Sequence, residues 1–480
     1  MVDEDRSAQL EQVLSKISEL IVNYAQKADS DKGSVGTYQS PEDLKNDLDI
    51  GVSAEGQGIE GLMQSANLLL DTSVCTWHKN FMEKLYAATN PVGIASDLLL
   101  SILNTNSHVF TASPALTLIE KYIGHKYANM FGFNGPYAGG LTFPGGSYSN
   151  ITALHMARSM QFPDTRTEGC GNYKFRIFTS SHCHYSVEKA AILMGLGSNA
   201  VVKIKVFEDG RMDTRDLENK INESKDLGYT PLAISATAGT TVYGSFDDFE
   251  AIGKIAKDHK IWFHIDGSWG ANFIFSERQK SKLVGTHLAD SLTVNPHKML
   301  GVPCTCSFLL VPDEQVFQES NSLQAAYLFH NTHLGENYDL ADGTMGCGRR
   351  PDALKLYLGW QWYGTKGYGE RVDHAFEMTE YLANKVANTP GFVLLSTNPP
   401  PCLQTCFFYS KSGKLENAEE NTRMTRKIAQ ELFANSQYLI DYSLHNDHGE
   451  FFRVVLNAPS VDKNTVDELV RLIAFYGEQI

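Results

Sequence analysis

The sequence predicts an α/β protein built on a mostly parallel sheet with helices on both faces. From Phe110 onward, short β-branched runs alternate with helical patterns. The candidate strands are FRIFTS, VVKIKV, LAISATA, IWFHID and SLTVN, and the helical stretches between them include HYSVEKAAILMGLG and FDDFEAIGKIAKDHK. This alternation is typical of parallel strands joined by crossover helices. In such sheets the reactive residues gather at the carboxyl ends of the strands.

Changes of pattern divide the chain into three predicted segments. Residues 1–75 carry an amphipathic helical pattern, LEQVLSKISELI, and such an arm needs a partner surface, for which a second subunit is one candidate. Residues 76–350 hold the strand–helix alternation and form the predicted large domain. Residues 351–480 begin with a long helical pattern and return, after the Pro-rich NPPPC, to strand and helix patterns, which predicts a small α+β domain.

Composition narrows the class of function. The 480 residues carry a net charge of −15, which argues against binding to nucleic acid or to an anionic membrane. No run is apolar for the length of a membrane span, the N-terminus lacks a secretory signal, and the eight cysteines show no disulfide or zinc pattern. We therefore expect a cytoplasmic protein with no metal site. An anionic substrate would need a local positive pocket, because the surface as a whole repels it.

Two residues at predicted strand ends carry the strongest chemical signal. Lys298 lies in NPHKMLGVP, just after the strand SLTVN, and Asp266 ends the strand IWFHID and precedes small residues. Alone, Lys298 would be interpreted as a surface lysine and Asp266 as a turn or helix-cap residue. Together they supply an amine that forms imines and a carboxylate that pairs with a cationic ring.

Two further motifs complete a recognisable set. His182 and His184 lie two residues apart, but no further metal ligands accompany them, so stacking of His184 on a flat cofactor fits better than metal binding. The glycine-rich TFPGGSYSN precedes a helical stretch, and backbone N–H groups at such a helix start bind phosphate. An amine, a carboxylate, a stacking ring and a phosphate loop are what pyridoxal 5'-phosphate (PLP) requires.

These motifs resemble those of the group II PLP-dependent amino-acid decarboxylases. SATAGTTVYGSFD, NPHKMLGVP and CGRRPDALKLYLGW are closest to the glutamate, cysteine-sulfinate and aspartate decarboxylase branch, and the resemblance runs from about Trp77 to the C-terminus. It implies a type I aminotransferase-like fold with a seven-stranded sheet, a homodimer with sites at the subunit interface, and α-decarboxylation of an acidic L-amino acid.

The resemblance also implies roles for individual residues. Lys298 would hold PLP as a Schiff base, Asp266 would pair with the pyridine nitrogen, and His184 would stack on the ring. Thr241 would approach the ring hydroxyl, and Ser268 stands beneath the ring where the family usually has Ala. The residues expected around the phosphate are Ser147, Tyr148, Ser149, Asn295 and His297.

Four positions bear on catalysis and substrate choice. Tyr338 matches the tyrosine of a partner-subunit loop that protonates Cα, although the segment from this residue to CGRR is shorter than in animal glutamate decarboxylases. Arg453 matches the arginine that pairs with the distal carboxylate of an acidic substrate. Lys84 replaces a substrate-binding glutamine, and His108 replaces Phe or Tyr. Lys84 could add a second cation for a short, doubly charged substrate such as aspartate.

Three other functions stay open at this point. The first two are an aromatic-amino-acid decarboxylase, against which Arg453 argues, and a decarboxylation-dependent aldehyde synthase, which would carry Phe in place of Tyr338. The third is a catalytically silent PLP-fold protein that acts by interaction, although such a protein would have no need to retain Lys298 and Asp266.

Overall fold

The computed structural model describes residues 5–30, 33–48, 50–52, 54–323 and 338–480. The α-helices are α1 (Arg6–Ala28), α2 (Pro41–Leu48), α3 (Gly58–Thr72), α4 (Pro91–Leu103), α5 (Pro114–Met130), α6 (Gly146–Gln161), α7 (Thr165–Glu168), α8 (Ser186–Leu193), α9 (Thr214–Asp226), α10 (Phe249–His259), α11 (Pro296–Met299), α12 (Gln315–Asn321), α13 (Ala353–Ala387), α14 (Ala418–Ala434) and α15 (Lys463–Gln479). Within the described residues, no helix has both the length and the apolar character to cross a membrane.

The strands are β1 (Phe81–Met82), β2 (Gly139–Phe143), β3 (Phe175–Ser180), β4 (Val201–Ile204), β5 (Thr230–Thr237), β6 (Trp262–Gly267), β7 (Ser291–Val294), β8 (Ser307–Val311), β9 (Phe392–Leu394), β10 (Gln404–Tyr409), β11 (Leu439–His445) and β12 (Gly449–Val455). Short 3-10 helices lie at Ser198–Ala200, Gly270–Phe275, Lys280–Leu283, Thr286–Leu288 and Leu340–Gly343.

The chain divides into two compact units. The larger unit comprises residues 89–376 and 400–402, and the smaller one comprises 1–88, 377–399 and 403–480. The boundaries differ from the predicted ones. Residues 81–82 belong with the C-terminal strands because β1 pairs with β11, and the second boundary falls inside α13, where no change of composition marks it.

The larger unit contains the predicted α/β sheet. Its seven strands have the order β2-β8-β7-β6-β5-β3-β4. The pairs from β7 through β6, β5 and β3 to β4 are parallel, whereas β8 is antiparallel to both of its neighbours. The mostly parallel α/β fold is therefore confirmed, and each of the five predicted strands is present.

Central strands of this sheet are covered on both faces. Every residue of β6, β7 and β8 is buried, as expected when helices pack above and below a parallel sheet. On one face, α6 packs on the sheet through Ala153, Leu154 and Ala157, all fully buried. This packing fixes the start of α6 next to the carboxyl ends of the central strands.

The smaller unit is built on a five-stranded sheet in the order β1-β11-β12-β10-β9. β1 is parallel to β11, and the other pairs are antiparallel. Its apolar core joins these strands to α14 and α15 through residues such as Phe407, Ile428, Phe452 and Leu469. The register of β11 and β12 places Asp441 opposite Arg453.

Candidate active site

A cavity of about 220 Å³ lies in the larger unit, where β5, β6 and β7 end and α6 begins. Its lining residues are Gly146, Ser147, Asn150, His184, Tyr185, Thr237, Gly239, Thr241, Asp266, Ser268, Trp269, Asn295, His297 and Lys298. Eight of the residues predicted around PLP thus meet in one place: Ser147, His184, Thr241, Asp266, Ser268, Asn295, His297 and Lys298. A larger cavity, of about 350 Å³, lies between α1 and α3 in the smaller unit and contains none of the predicted residues.

Asp266 is the buried anion of this cavity. Its Oδ2 accepts a hydrogen bond from the Asn150 amide at 2.8 Å, and its Oδ1 accepts one from the Ser268 backbone N–H at 3.1 Å. Burial by itself would raise the pKa of this carboxyl, but His184, a side-chain hydrogen bond from Ser268 and the charge of Lys298 outweigh burial and hold the pKa below its usual value. Asp266 is therefore an ionised carboxylate and suits a cationic partner.

His184 and Lys298 face the same space. The Nδ1 of His184 accepts a hydrogen bond from the Ser186 backbone N–H at 3.2 Å, so the ring carries its proton on Nε2. Burial lowers the pKa of His184, with Lys298 adding to this and Asp266 opposing it. Lys298 lies half-buried in the short helix α11, which follows β7 directly. A neutral ring, an amine and a carboxylate therefore line one cavity.

The first turn of α6 forms the opposite wall. Gly145, just before the helix, has φ 109°, and a Cβ on Gly146 would lie 2.4 Å from the Ser268 hydroxyl. Glycine is required at both positions, one for its backbone conformation and one for close approach. The first N–H groups of a helix lack partners within the helix, so this wall attracts an anion.

Residues of the predicted phosphate set occupy different environments. Ser147 lines the cavity, whereas Tyr148 is 53% exposed and does not. Ser149 is fully buried, and its hydroxyl is hydrogen-bonded to that of Ser307 at 2.8 Å. Successive residues of a helix turn by about 100°, so three consecutive side chains cannot face one ligand. Of these three predicted residues, only Ser147 therefore faces the cavity.

Asn295 and His297 remain beside the cavity. Asn295 is buried, and its Oδ1 has no hydrogen-bond partner within the described residues. The Nδ1 of His297 lies 2.7 Å from the Cys306 carbonyl oxygen, and burial lowers the pKa of its ring to about 4. A polar ligand with donor and acceptor groups fits this end of the cavity. The glycine wall with the first N–H groups of α6, and the buried Asp266 carboxylate, together fit the phosphate and the ring of PLP.

Arg453 and Lys84 lie together in the smaller unit. Arg453, which is 7% exposed, donates from Nη2 to the Glu83 carbonyl oxygen at 2.9 Å and pairs with Asp441 at 2.5 Å. Lys84 lies 3.5 Å from Asp441 and 3.2 Å from the Glu83 carboxylate. Burial alone would lower the pKa of Lys84, but the two carboxylates outweigh burial and raise the pKa. The two cations predicted for substrate binding are therefore neighbours, and two anions accompany them.

His108 and Tyr338 do not line the cavity. The Tyr338 ring packs on Phe110 with a centroid distance of 5.3 Å, and Lys121 Nζ lies 5.3 Å from the same ring. The carbonyl of His108 accepts a hydrogen bond from the Ala341 N–H at 3.0 Å. The rest of the predicted loop, residues 324–337, lies outside the described residues. The segment that contains His108 and the segment that contains Tyr338 therefore lie side by side.

Sequence reasoning missed three residues at these sites. Asn150 and His264 lie behind Asp266, and Asp441 lies against Arg453. One signal was present, because His264 and Asp266 lie two apart in a strand and so share a face. The contacts of Asn150 and Asp441 join distant parts of the chain or depend on strand register, and no local pattern marks them. Within the described residues there is no group of three or more potential metal ligands.

Comparison with known proteins gives consistent matches. Residues 41–410 match the family model described as the pyridoxal-dependent decarboxylase conserved domain. An L-aspartate decarboxylase of Metarhizium robertsii is 46% identical over 427 residues, which are 89% of this chain and 85% of the relative. An acidic amino acid decarboxylase of Xenopus tropicalis is 34% identical over 464 residues, which are 95% of this chain and 90% of the relative. The crystal structure of mouse CSAD matches with a TM-score of 0.93 at 30% identity and 99% coverage of both chains.

Proposed function

This chain belongs to the pyridoxal-dependent decarboxylase family and is a PLP-dependent amino-acid decarboxylase, and from that premise we propose that its substrate is an acidic L-amino acid. The candidates are aspartate, glutamate and cysteine sulfinate. The observation that carries the proposal is the juxtaposition of Arg453 and Lys84, both within 3.5 Å of one carboxylate oxygen of Asp441. Two cations that already bind one carboxylate suit the distal acidic group of such a substrate.

PLP supplies the ring that accepts the electron pair of the breaking Cα–carboxylate bond. Three residues would serve that ring in this chain. Lys298 would hold the cofactor covalently through Nζ, since it is the lysine of the cavity lining. Asp266, an ionised buried carboxylate, would keep the proton on the ring nitrogen, and the neutral His184 would cover one face of the ring.

The other end of the cofactor would lie against the start of α6. Ser147, Asn295 and His297 line this end of the cavity, and the backbone N–H groups of the first helical turn add positive potential. The buried Asn295 amide would bind a phosphate oxygen through its Nδ2. Thr241 and Ser268, also in the lining, would contact the ring.

For the return of a proton to Cα we propose Tyr338, acting from the partner subunit of a homodimer. Its phenol can donate a proton, and it matches the tyrosine to which the family resemblance assigns this step. His108 would contribute from the segment beside Tyr338, since its carbonyl oxygen accepts a hydrogen bond from the Ala341 N–H. Exposed apolar side chains on α1 and α3, including Leu10, Leu14, Val22 and Leu69, support the dimer because they need a covering surface.

The test is carbon dioxide release by the PLP-loaded protein with aspartate, glutamate, cysteine sulfinate and dihydroxyphenylalanine compared side by side. We expect release from at least one acidic substrate and loss of that release in Arg453→Ala. Arg426→Ala is the matched control, since Arg426 forms an exposed ion pair with Glu450 in the same unit. Release from dihydroxyphenylalanine alone, or unchanged acidic turnover in Arg453→Ala, would contradict the proposal.

A further inference from the structure

Four hydrogen bonds behind Asp266 connect five buried side chains in a single line. Trp262 Nε1 donates to Ser291 Oγ at 2.9 Å, and Ser291 Oγ lies 2.9 Å from His264 Nδ1. His264 Nε2 lies 3.0 Å from Asn150 Oδ1, and Asn150 Nδ2 donates to Asp266 Oδ2 at 2.8 Å. We refer to these five residues as the relay.

Only one arrangement of hydrogens satisfies the relay. An ionised carboxylate only accepts, so Asn150 must present its Nδ2 to Asp266 and its Oδ1 to His264. His264 therefore carries a proton on Nε2. Burial lowers the pKa of His264 to about 4, with Asp266 opposing, so the ring is neutral and its Nδ1 accepts from the Ser291 hydroxyl. The Trp262 indole, which only donates, closes the far end.

Every donor in the relay thus points toward Asp266. At neutral pH His264 is uncharged, and the relay acts by fixing the Asn150 amide in the orientation that favours the ionised carboxylate. Without His264, the amide could rotate and turn its oxygen toward Asp266, which would repel the carboxylate. An unsatisfied buried polar group is costly, so the fully paired relay holds one state.

From this geometry we propose that His264 and Asn150 are positioning residues that keep Asp266 ionised and aimed at the ring nitrogen of PLP. The proposal rests on the assignment of Asp266 to that nitrogen and is independent of which amino acid is the substrate. It assigns a task to two residues that the sequence motifs did not mark for the cofactor site.

A cofactor analogue separates the contact between Asp266 and the ring nitrogen from a general effect of the substitution on folding. The 1-deaza analogue of PLP has carbon in place of the ring nitrogen, so it cannot use the charge of Asp266. The ratio of the two dissociation constants, measured by equilibrium dialysis with the full-length apoprotein, reports the ring-nitrogen contact alone. We expect the wild-type protein to favour PLP, and His264→Leu to lower the preference about tenfold, the equivalent of one pKa unit.

Two variants serve as controls. His264→Gln can still donate to Asn150 and accept from Ser291, so it should restore most of the preference. Asn150 Nδ2 also donates a hydrogen bond of 3.0 Å to Ser186 Oγ, and this bond does not lead to Asp266. Ser186→Ala removes it and should leave the ratio of the dissociation constants unchanged. If His264→Leu does not fold, Asn150→Ser tests the same prediction. This variant removes the hydrogen bond that Asn150 Nδ2 donates to Asp266, so the preference for PLP should fall as well.

An equal loss of affinity for PLP and for the analogue in His264→Leu would overturn the proposal, because the relay would then be structural only. A wild-type protein that binds both cofactors equally would instead refute the assignment of Asp266. No acidic-substrate turnover together with a normal ratio would refute the proposed substrate and leave the relay intact.

Discussion

Asp441 and Arg453 face each other across β11 and β12, and their side chains form an ion pair at 2.5 Å. The arginine expected to bind substrate therefore has a counter-ion within its own unit. This carboxylate fixes the guanidinium in place, and it also competes with any substrate carboxylate for the same positive charge. If Arg453 binds the substrate as proposed, the strength of that competition sets the affinity for an acidic substrate.

Replacing the counter-ion should separate these two effects. In Asp441→Asn, the mostly buried Arg453 loses its ionised partner, and we expect the free energy of unfolding to fall by about 1–3 kcal/mol. We also expect KM for the acidic substrate to fall, because the uncompensated cation binds it more tightly. Denaturant unfolding and steady-state kinetics measure the two quantities. Glu468→Gln, which breaks an exposed ion pair, is the control, and a rise in KM would contradict the competition.

Lys84 should act on short substrates more than on long ones. In Lys84→Gln we expect kcat/KM for aspartate to fall about fivefold relative to glutamate, in keeping with the worth of a partly exposed ion pair. The ratio of the two kcat/KM values is the measurement. Lys366→Gln, at a side chain that is 90% exposed, provides the comparison. Unchanged kinetics with both substrates would mean that Lys84 serves only Asp441 and Glu83.

The phenol of Tyr338 offers a test with little structural disturbance. Phenylalanine keeps the ring that packs on Phe110, so the thermal unfolding midpoint should not change. If the hydroxyl donates the proton to Cα, amine formation should fall about a hundredfold or more. Product analysis should accompany the rates, since an aldehyde product would indicate the alternative chemistry. A loss of less than about threefold would assign the residue to packing.

Stability should decline as the pH falls from about 6.5 to 4. Burial holds the pKa of His264 and of His297 at about 4, below the usual value of 6.5, so in this window the unfolded chain binds protons that the folded chain does not. The stability that these residues contribute is complete above pH 6.5 and is lost as the pH falls. Asp247, whose pKa burial raises to about 6, works in the opposite direction.

Thermal unfolding of the apoprotein at pH 7 and pH 5 measures this dependence. We expect a lower midpoint at pH 5, and a smaller decrease in His264→Gln because glutamine does not titrate. An identical decrease in the two proteins would show that His264 contributes nothing to the pH dependence.

The sequence by itself was sufficient for the fold class and for picking out residues that the structure brings together in one cavity. Strand–helix alternation predicted the parallel sheet, and Asp266 and Lys298 were selected because one ends β6 and the other follows β7 closely, each in a distinctive local motif. Strand ends in a parallel sheet meet at one edge, so local patterns were enough to bring these residues together.

Only the tertiary structure decided which neighbours act on them. Asn150 reaches Asp266 across 116 residues of chain, and the pairing of Asp441 with Arg453 depends on the register of β11 against β12. Ser147 faces the cavity and Ser149 does not, because the first turn of α6 sets their directions. Strand register, helix phase and contacts over long sequence distances are set by packing of the whole core, and no local pattern encodes them.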